Sequence, residues 1–330
     1  MVLNGPVLVN RPNLCFLNVP AGEGSTSNLS SPESVEDEQL FDSNYKNISS
    51  KSGLLMFKNG ILHQCSLNEL AQIRKLGAGQ FGTVYMCKCR ETGCVMAVKE
   101  IPLMTKEDRK KAIVDVLTMM ETRGCSCIVS YFGCFIGDHK IGICMEIMET
   151  GFDKILEKNG ALPELLVAKV VKDAVKALQF LKERMRLHRD IKPGNILVDR
   201  KGYIKLCDFG ICGKLISTDT AVTNSKGTYL YLAPERMDGS ENYGVHADVW
   251  SLGITAYELL TGVHPYANSC NQFQINSEVV SGPVPKLDES KYSYEACEFV
   301  SCCLKKNPKQ RLLYKDLMVK FVAYLSVFFE

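Results

Sequence analysis

Long hydrophobic runs are missing from this chain of 330 residues. Without a run of about 18 apolar residues there is no candidate for a membrane-spanning helix. The opening MVLNGPVLVNRPNLCFL has Asn or Pro breaking each apolar run, so no signal peptide is expected there, and neither end fits a lipidation signal. An excess of one charge is also lacking: 39 Lys and Arg stand against 37 Asp and Glu, a formal net charge of +2. With neither a basic stripe nor an acidic tail, nucleic acid and membrane surfaces are not expected as partners. The pairs Cys87-Lys-Cys89 and Cys125-Ser-Cys127 have no spaced C-x-x-C or H-x-x-x-H to join them, so a structural zinc site is not expected. The 15 cysteines are odd in number, and most sit in apolar runs such as VYMCKC and IGICMEIM. That pattern implies buried, reduced thiols and a cytosolic or nuclear protein. No internal repeat is visible.

What remains is a globular composition, 46% apolar and 23% charged, long enough for one large domain or two smaller ones. From Ala21 to Gly53 the chain is polar, rich in Ser and Asn and without periodicity, and residues 1–66 are expected to form an unstructured extension. Beyond Leu67, IRKLGAGQFGTVYMCKCRETGCVMAVKEI alternates apolar and polar residues on both sides of a turn-like ETG, which predicts consecutive antiparallel strands. KKAIVDVLTMMETRG then carries Ala112, Ile113, Val116, Met119 and Met120 at helical spacing. Helical patterns dominate from Gly151 onward. Segregation of strands and helices predicts an α+β fold of two lobes, a small strand-rich one over 67–148 and a larger helical one over 149–328.

Gly77-Ala78-Gly79-Gln80-Phe81-Gly82 is a G-x-G-x-x-G, which alone is weak. A dinucleotide fold would start a helix at its last glycine, whereas Thr83-Val84-Tyr-Met-Cys alternates as a strand does. The glycines therefore belong at a hairpin tip, where a backbone without side chains can lay N–H groups over phosphates and Val84 can cover an adenine ring. A plain β-turn would read the same way, but it leaves unexplained Ala97-Val98-Lys99, which puts a lysine in an apolar strand. Buried charge needs a partner. Asp115, among Ile113 and Val116 on the next helix, is the candidate, with phosphate oxygens as the second partner; an edge-strand lysine reaching for solvent is the alternative.

Further on, LHRDIKPGN gathers Arg189, Asp190, Lys192 and Asn195, followed by Cys207-Asp208-Phe-Gly210 and Ala233-Pro-Glu235. In order and spacing, GxGxxGxV, AVK, HRDxKPxN, DFG and APE resemble the protein-kinase family from about Leu67 to Phe328. The resemblance implies ATP and Mg2+. Asp190 would orient the acceptor hydroxyl and take its proton, Lys192 would steady the γ-phosphate, and Asn195 and Asp208 would hold magnesium. Lys99 would grip the α- and β-phosphates beneath the loop from Leu76 through Gly77, Ala78, Gly79, Gln80, Phe81, Gly82 and Thr83. Adenine would lie between Leu76, Val84, Ala97 and Leu197, bonded to backbone from Glu146 to Met148, with Met145 limiting pocket depth. His188 is expected as a core histidine, Asp248 as a brace for the HRD loop, and Glu235 with Arg311 as a buried ion pair.

Lys192, two places after Asp190, resembles Ser/Thr-directed kinases. DFGICGKLI, GTYLYLAPER, ADVWSLGI and the Asp of IVDVL are similar to the stress-activated branch of the mitogen-activated protein kinase kinases. The likeness implies a dual-specificity enzyme acting on Thr and Tyr of a downstream MAP kinase, switched on by an upstream MAP kinase kinase kinase and served by a scaffold. In place of the expected phosphorylated pair stands Asp219-Thr-Ala221-Val-Thr223, so Thr223, or Thr218 with altered spacing, is the expected regulatory site. The tail offers only Arg11 before Leu14-Cys-Phe16 where a basic docking cluster would stand. Two readings stay open beside this one: a Ser/Thr kinase higher in such a cascade, and an inactive kinase fold acting as scaffold.

Overall fold

The computed structural model describes residues 35–57, 60–79, 82–209, 213–214, 229–237, 244–269 and 271–326. The chain divides into two units, Met1–Leu40 and Phe41–Glu330. Of the first unit, only the opening turns of helix α1 (Val35–Ser49) are described. In the second unit, the rest of α1 leads to a two-stranded hairpin of β1 (Leu54–Met56) and β2 (Leu62–Gln64).

The small lobe is built on a five-stranded antiparallel sheet. Its strands are β3 (Leu70–Gly79), β4 (Gly82–Cys89), β5 (Val95–Pro102), β6 (Tyr131–Ile136) and β7 (Lys140–Met145), in the spatial order β3-β4-β5-β7-β6. Helix α2 (Lys106–Glu121) lies between β5 and β6 in sequence. Its start is fixed by a capping box: Thr105 accepts from the Asp108 N–H, while the Asp108 carboxylate accepts from the Thr105 N–H. Period-two alternation sends the two faces of β5 to different cores. Met96 and Val98 join Leu55, Phe57, Cys65, Cys87, Cys89, Phe132 and Cys144 on the side of the β1–β2 hairpin. Ile101 shares a core with Ile113, Val116 and Met119 of α2, and Lys99 is of the same parity as Ile101.

The larger lobe begins with β8 (Thr150–Gly151), α3 (Phe152–Asn159) and α4 (Glu164–Glu183), then short strands β9 (Arg186–Leu187), β10 (Ile196–Val198), β11 (Ile204–Leu206) and β12 (Gly213–Lys214). Helices α5 (Pro234–Met237), α6 (Val245–Thr261), α7 (Gln272–Val280), α8 (Tyr294–Cys303) and α9 (Tyr314–Ser326) complete it. α6 is buried nearly all round, with Trp250, Val249, Leu252 and Ile254 at 0% exposure, and it forms the axis on which the lobe is assembled.

The structure differs from the expected unstructured 1–66 in the helix Val35–Ser49 and the strands Leu54–Met56 and Leu62–Gln64. Phe41, Tyr45 and Ile48 recur at helical spacing and pack on the main core, with Ile48 almost fully buried, and Leu55, Phe57 and Cys65 are buried in the hairpin region. Three apolar positions among polar neighbours are a weak signal. They suffice because the main core supplies the surface that α1 could not supply alone.

Candidate active site

The hairpin β3–β4 ends in the pair Gly79 with Gly82, so Gly77, Ala78, Gly79, Gly82, Thr83 and Val84 stand at its tip, while Gln80 and Phe81 lie outside the described residues. The three glycines differ in physical role. Gly82 has φ +142°, and a Cβ there would run into the Glu100 carbonyl of β5. Cβ atoms at Gly77 and Gly79 would meet nothing within 4 Å, so packing does not require glycine at either position. What their lack of side chains provides is open room beside the backbone N–H groups of the tip.

One strand inward, Val84 pairs with Lys99, and Ala97 pairs with Met145 across β5 and β7. The Lys99 ammonium donates to Asp115 Oδ2 at 2.8 Å and to Asp208 Oδ1 at 2.7 Å. Burial by itself pulls this lysine's pKa down, but the two carboxylates outweigh it and hold the ammonium charged, well above the ordinary lysine range. Asp115 is 2% exposed, and burial raises its carboxyl against the opposing pull of Lys99. The Asp208 side chain is far more open, at 29%.

The second cluster lies on the loop after β9. Lys192 Nζ donates to both Asp190 oxygens, at 2.9 and 2.7 Å, and Asn195 Nδ2 donates to the Asp190 carbonyl and to its Oδ2, at 2.8 and 2.7 Å. Asp248, at 0% exposure in the first turn of α6, accepts the backbone N–H of His188 at 3.0 Å and of Arg189 at 2.8 Å, one on each oxygen. His188 is fully buried, its Nδ1 accepting from the Asp190 N–H at 3.3 Å and its Nε2 lying 3.1 Å from the Cys207 carbonyl, so the proton sits on Nε2. The backbone is strained here: of three described non-glycine residues with positive φ, two are Arg189 (+68°) and Asp208 (+65°).

The two clusters are one site. Asn195, which holds Asp190, accepts the Cys207 N–H on its carbonyl at 3.0 Å, and Cys207 immediately precedes Asp208. The Cys207 thiol is pushed far up by burial and by the neighbouring Asp208 carboxylate, which makes it a packed thiol rather than a nucleophile.

Around the expected adenine position, Leu76, Val84, Met145 and Leu197 are half-buried apolar residues, and Met148 is 9% exposed. The Glu149 N–H donates to the Val198 carbonyl at 2.9 Å, which brings Leu197 of β10 beside the segment connecting the lobes. The Glu146 N–H donates to the Ser130 carbonyl at 2.9 Å, which ties the start of this segment to the strand region before β6. The sequence reading missed Lys205. This buried lysine of β11 donates to the Glu146 carboxylate, whose Oε1 also accepts the Ser130 N–H at 2.7 Å. Its sole signal in the sequence is a lysine between Ile204 and Leu206 in an apolar strand.

The donor set suits a hard divalent cation held jointly with phosphate. Asp208 and Asn195 offer a carboxylate and an amide oxygen, and magnesium is usually held by one or two carboxylates plus substrate phosphates. Among the described residues, no three His, Cys, Asp or Glu side chains gather as a self-sufficient metal site. Thr218 and Thr223, the regulatory candidates, lie outside the described residues.

Comparison with known proteins gives the family. Residues 70–321 match the protein kinase domain model. The chain is 37% identical over 303 residues to dual specificity mitogen-activated protein kinase kinase 7 of Homo sapiens, covering 89% of this chain and 72% of that protein. To dual specificity mitogen-activated protein kinase kinase mek-1 of Caenorhabditis elegans it is 37% identical over 286 residues, 84% of this chain and 81% of that one. The Drosophila melanogaster relative hemipterous, a dual specificity mitogen-activated protein kinase kinase, is 37% identical over 269 residues, 79% of this chain and 23% of its own length.

Proposed function

Since the chain belongs to the protein kinase family, among kinases of the mitogen-activated protein kinase kinase type, we propose that it phosphorylates Thr and Tyr in the activation loop of a downstream MAP kinase, with ATP as donor. Transfer of a phosphoryl group needs little covalent help from the protein. It needs positioning and charge stabilisation. The observation that carries the reading is the placement of Lys99 between Asp115 and Asp208, joined through Cys207 and Asn195 to the pair Asp190 and Lys192.

In this reading Lys99, anchored by Asp115, binds the α- and β-phosphates, and the backbone from Gly77 to Gly82 covers them. Asp208 and Asn195 hold magnesium, which when bound neutralises charge on the phosphate oxygens. Asp190 orients the incoming hydroxyl and accepts its proton, and Lys192 bridges from Asp190 to the transferred group. Asp248 acts at one remove: with a carboxylate oxygen on each of the His188 and Arg189 N–H groups, it fixes the loop that carries Asp190. Phosphate on Thr223 or Thr218, added by an upstream MAP kinase kinase kinase, completes the proposal, with Arg189 as the cation that would receive it.

The substrate class is tested by incubating the loop-phosphorylated chain with ATP and a panel of inactive MAP kinases, then hydrolysing the products to their phosphoamino acids. Phosphothreonine together with phosphotyrosine is the expected result. Phosphoserine or phosphothreonine alone, with no MAP kinase activated, would remove the dual-specificity assignment.

A further inference from the structure

Cys65 and Cys89 are 24 positions apart in sequence, and their sulfurs lie 3.5 Å apart. Cys65 follows β2, and Cys89 ends β4. Both side chains turn into the core under the β1–β2 hairpin, at 2% and 0% exposure. Their sequence neighbours Gln64 and Ser66 on one side and Arg90, Glu91 and Gly93 on the other are exposed. Cys144, in the same core, is by contrast deeply enclosed.

The two thiols are chemically unequal. Burial raises Cys65 first of all, and its hydrogen bond with Cys89 adds to this, so that it is pushed up to about 12 and keeps its proton. At Cys89, burial is outweighed by hydrogen bonds from the Thr92 side chain and backbone, from Cys65 and from the Glu91 backbone, and the thiol is lowered. The sulfur that more readily ionises therefore stands against one that can attack it after oxidation.

We propose that Cys65 and Cys89 form a reversible disulfide site whose oxidant is a hydroperoxide, with Cys89 as the attacking sulfur and Cys65 as the resolving one. In the first step the Cys89 thiolate attacks the O–O bond. An S–O bond forms, the O–O bond breaks, and the departing oxygen leaves as an alcohol or water after taking a proton, giving a sulfenic acid at Cys89. In the second step the Cys65 sulfur attacks Sγ of Cys89. The S–S bond forms, the S–O bond breaks, and hydroxide leaves with the Cys65 proton as water. The two sulfurs lose two electrons together, and the peroxide gains them. Closing from contact to a bond of about 2.05 Å requires movement of the order of 1.5 Å. The exposed turn at Ser66 and Leu67 is the segment that can yield. The ring so closed contains β3, the glycine loop and β4, so oxidation staples the base of the hairpin whose tip bears Gly77, Gly79 and Gly82.

The test treats the reduced full chain with graded hydrogen peroxide, blocks remaining thiols with an alkylating reagent under denaturing conditions, and maps peptides without reductant. A linked peptide joining residues 65 and 89, lighter by two hydrogens than its two thiol parts and undone by dithiothreitol, is expected at lower peroxide than any other cysteine pair. In Cys65→Ser, Cys89 is expected as a sulfenic acid trapped by dimedone; in Cys89→Ser, Cys65 is expected fully alkylated. Recovery of both residues as alkylated thiols while other cysteines oxidise would overturn the proposal, and so would oxidation of Cys65 that persists in Cys89→Ser. Should either variant misfold, the wild-type peptide map decides by itself.

Discussion

At the scale of single residues, Arg311 is a buried charge met by several partners. Arg311, with a side chain at 0% exposure, donates to both Glu235 oxygens at 2.6 and 2.7 Å and to the carbonyls of Lys305, His246 and Lys306. Removing one partner of such a pair strands the other, so Arg311→Ala is predicted to lower stability by about 3–5 kcal/mol. Arg311→Lys should recover only part of this because it lacks the planar fork, and urea titration of the three proteins reads both effects. His264 makes a different prediction. Burial lowers it from 6.5 to about 4, against a smaller upward pull from the Leu230 backbone. The unfolded chain then binds the proton more tightly than the folded one, so the stability this group supports is complete above its unfolded pKa. It falls away as pH drops through that value toward the folded one, by roughly 3 kcal/mol in all. His264→Asn keeps an acceptor for the Tyr266 N–H and should flatten that part of the melting-temperature profile. Residues such as Lys99 and Asp115 were legible in sequence because a charge in an apolar pattern demands a partner. The Glu146–Lys205 pair spans 59 positions, and no local pattern linked the two.

At the scale of elements, alternation exposed β3, β4 and β5, and the reversal at ETG exposed the turn between the last two, since period-two patterning is itself the cause of a half-buried strand. α1 escaped because its three packed positions gain stability only from a core distant in sequence. The glycine hairpin yields the sharpest prediction at this scale. Gly82→Ala should destabilise the small lobe, since the positive φ and the Glu100 carbonyl both oppose a side chain. Gly77→Ala and Gly79→Ala should melt within a degree or so of the parent, yet bind ATP more weakly, because the added methyls enter open space beside the expected phosphate position. Thermal melting beside nucleotide titration separates the two outcomes. A large loss of melting temperature in Gly77→Ala would show that its conformation, rather than ligand approach, requires glycine.

At the scale of the whole kinase fold, the two lobes are tied at the carboxy end of α2. Arg186 holds Glu121 with two hydrogen bonds of 2.9 Å, and the Val129 N–H and the Leu206 N–H bond across to the Leu206 and Cys127 carbonyls, each at 2.9 Å. That junction sets the level at which Asp208, two residues beyond β11, meets Lys99 from β5. The ordered motifs announced such a meeting, but the atoms that enforce it, from Arg186 to the Cys207 amide, belong to no motif. The central claim is that the meeting makes a phosphoryl-transfer site. Its most direct measurement is the rate of phosphate transfer from ATP to an inactive MAP kinase by the loop-phosphorylated chain and by its Asp190→Asn variant, with ATP affinity measured on both. The account predicts transfer by the parent, a rate lower by about 10²–10⁴-fold in the variant as expected for loss of a proton acceptor, and unchanged ATP affinity. Equal rates in the two proteins, or no transfer by the parent, would contradict it.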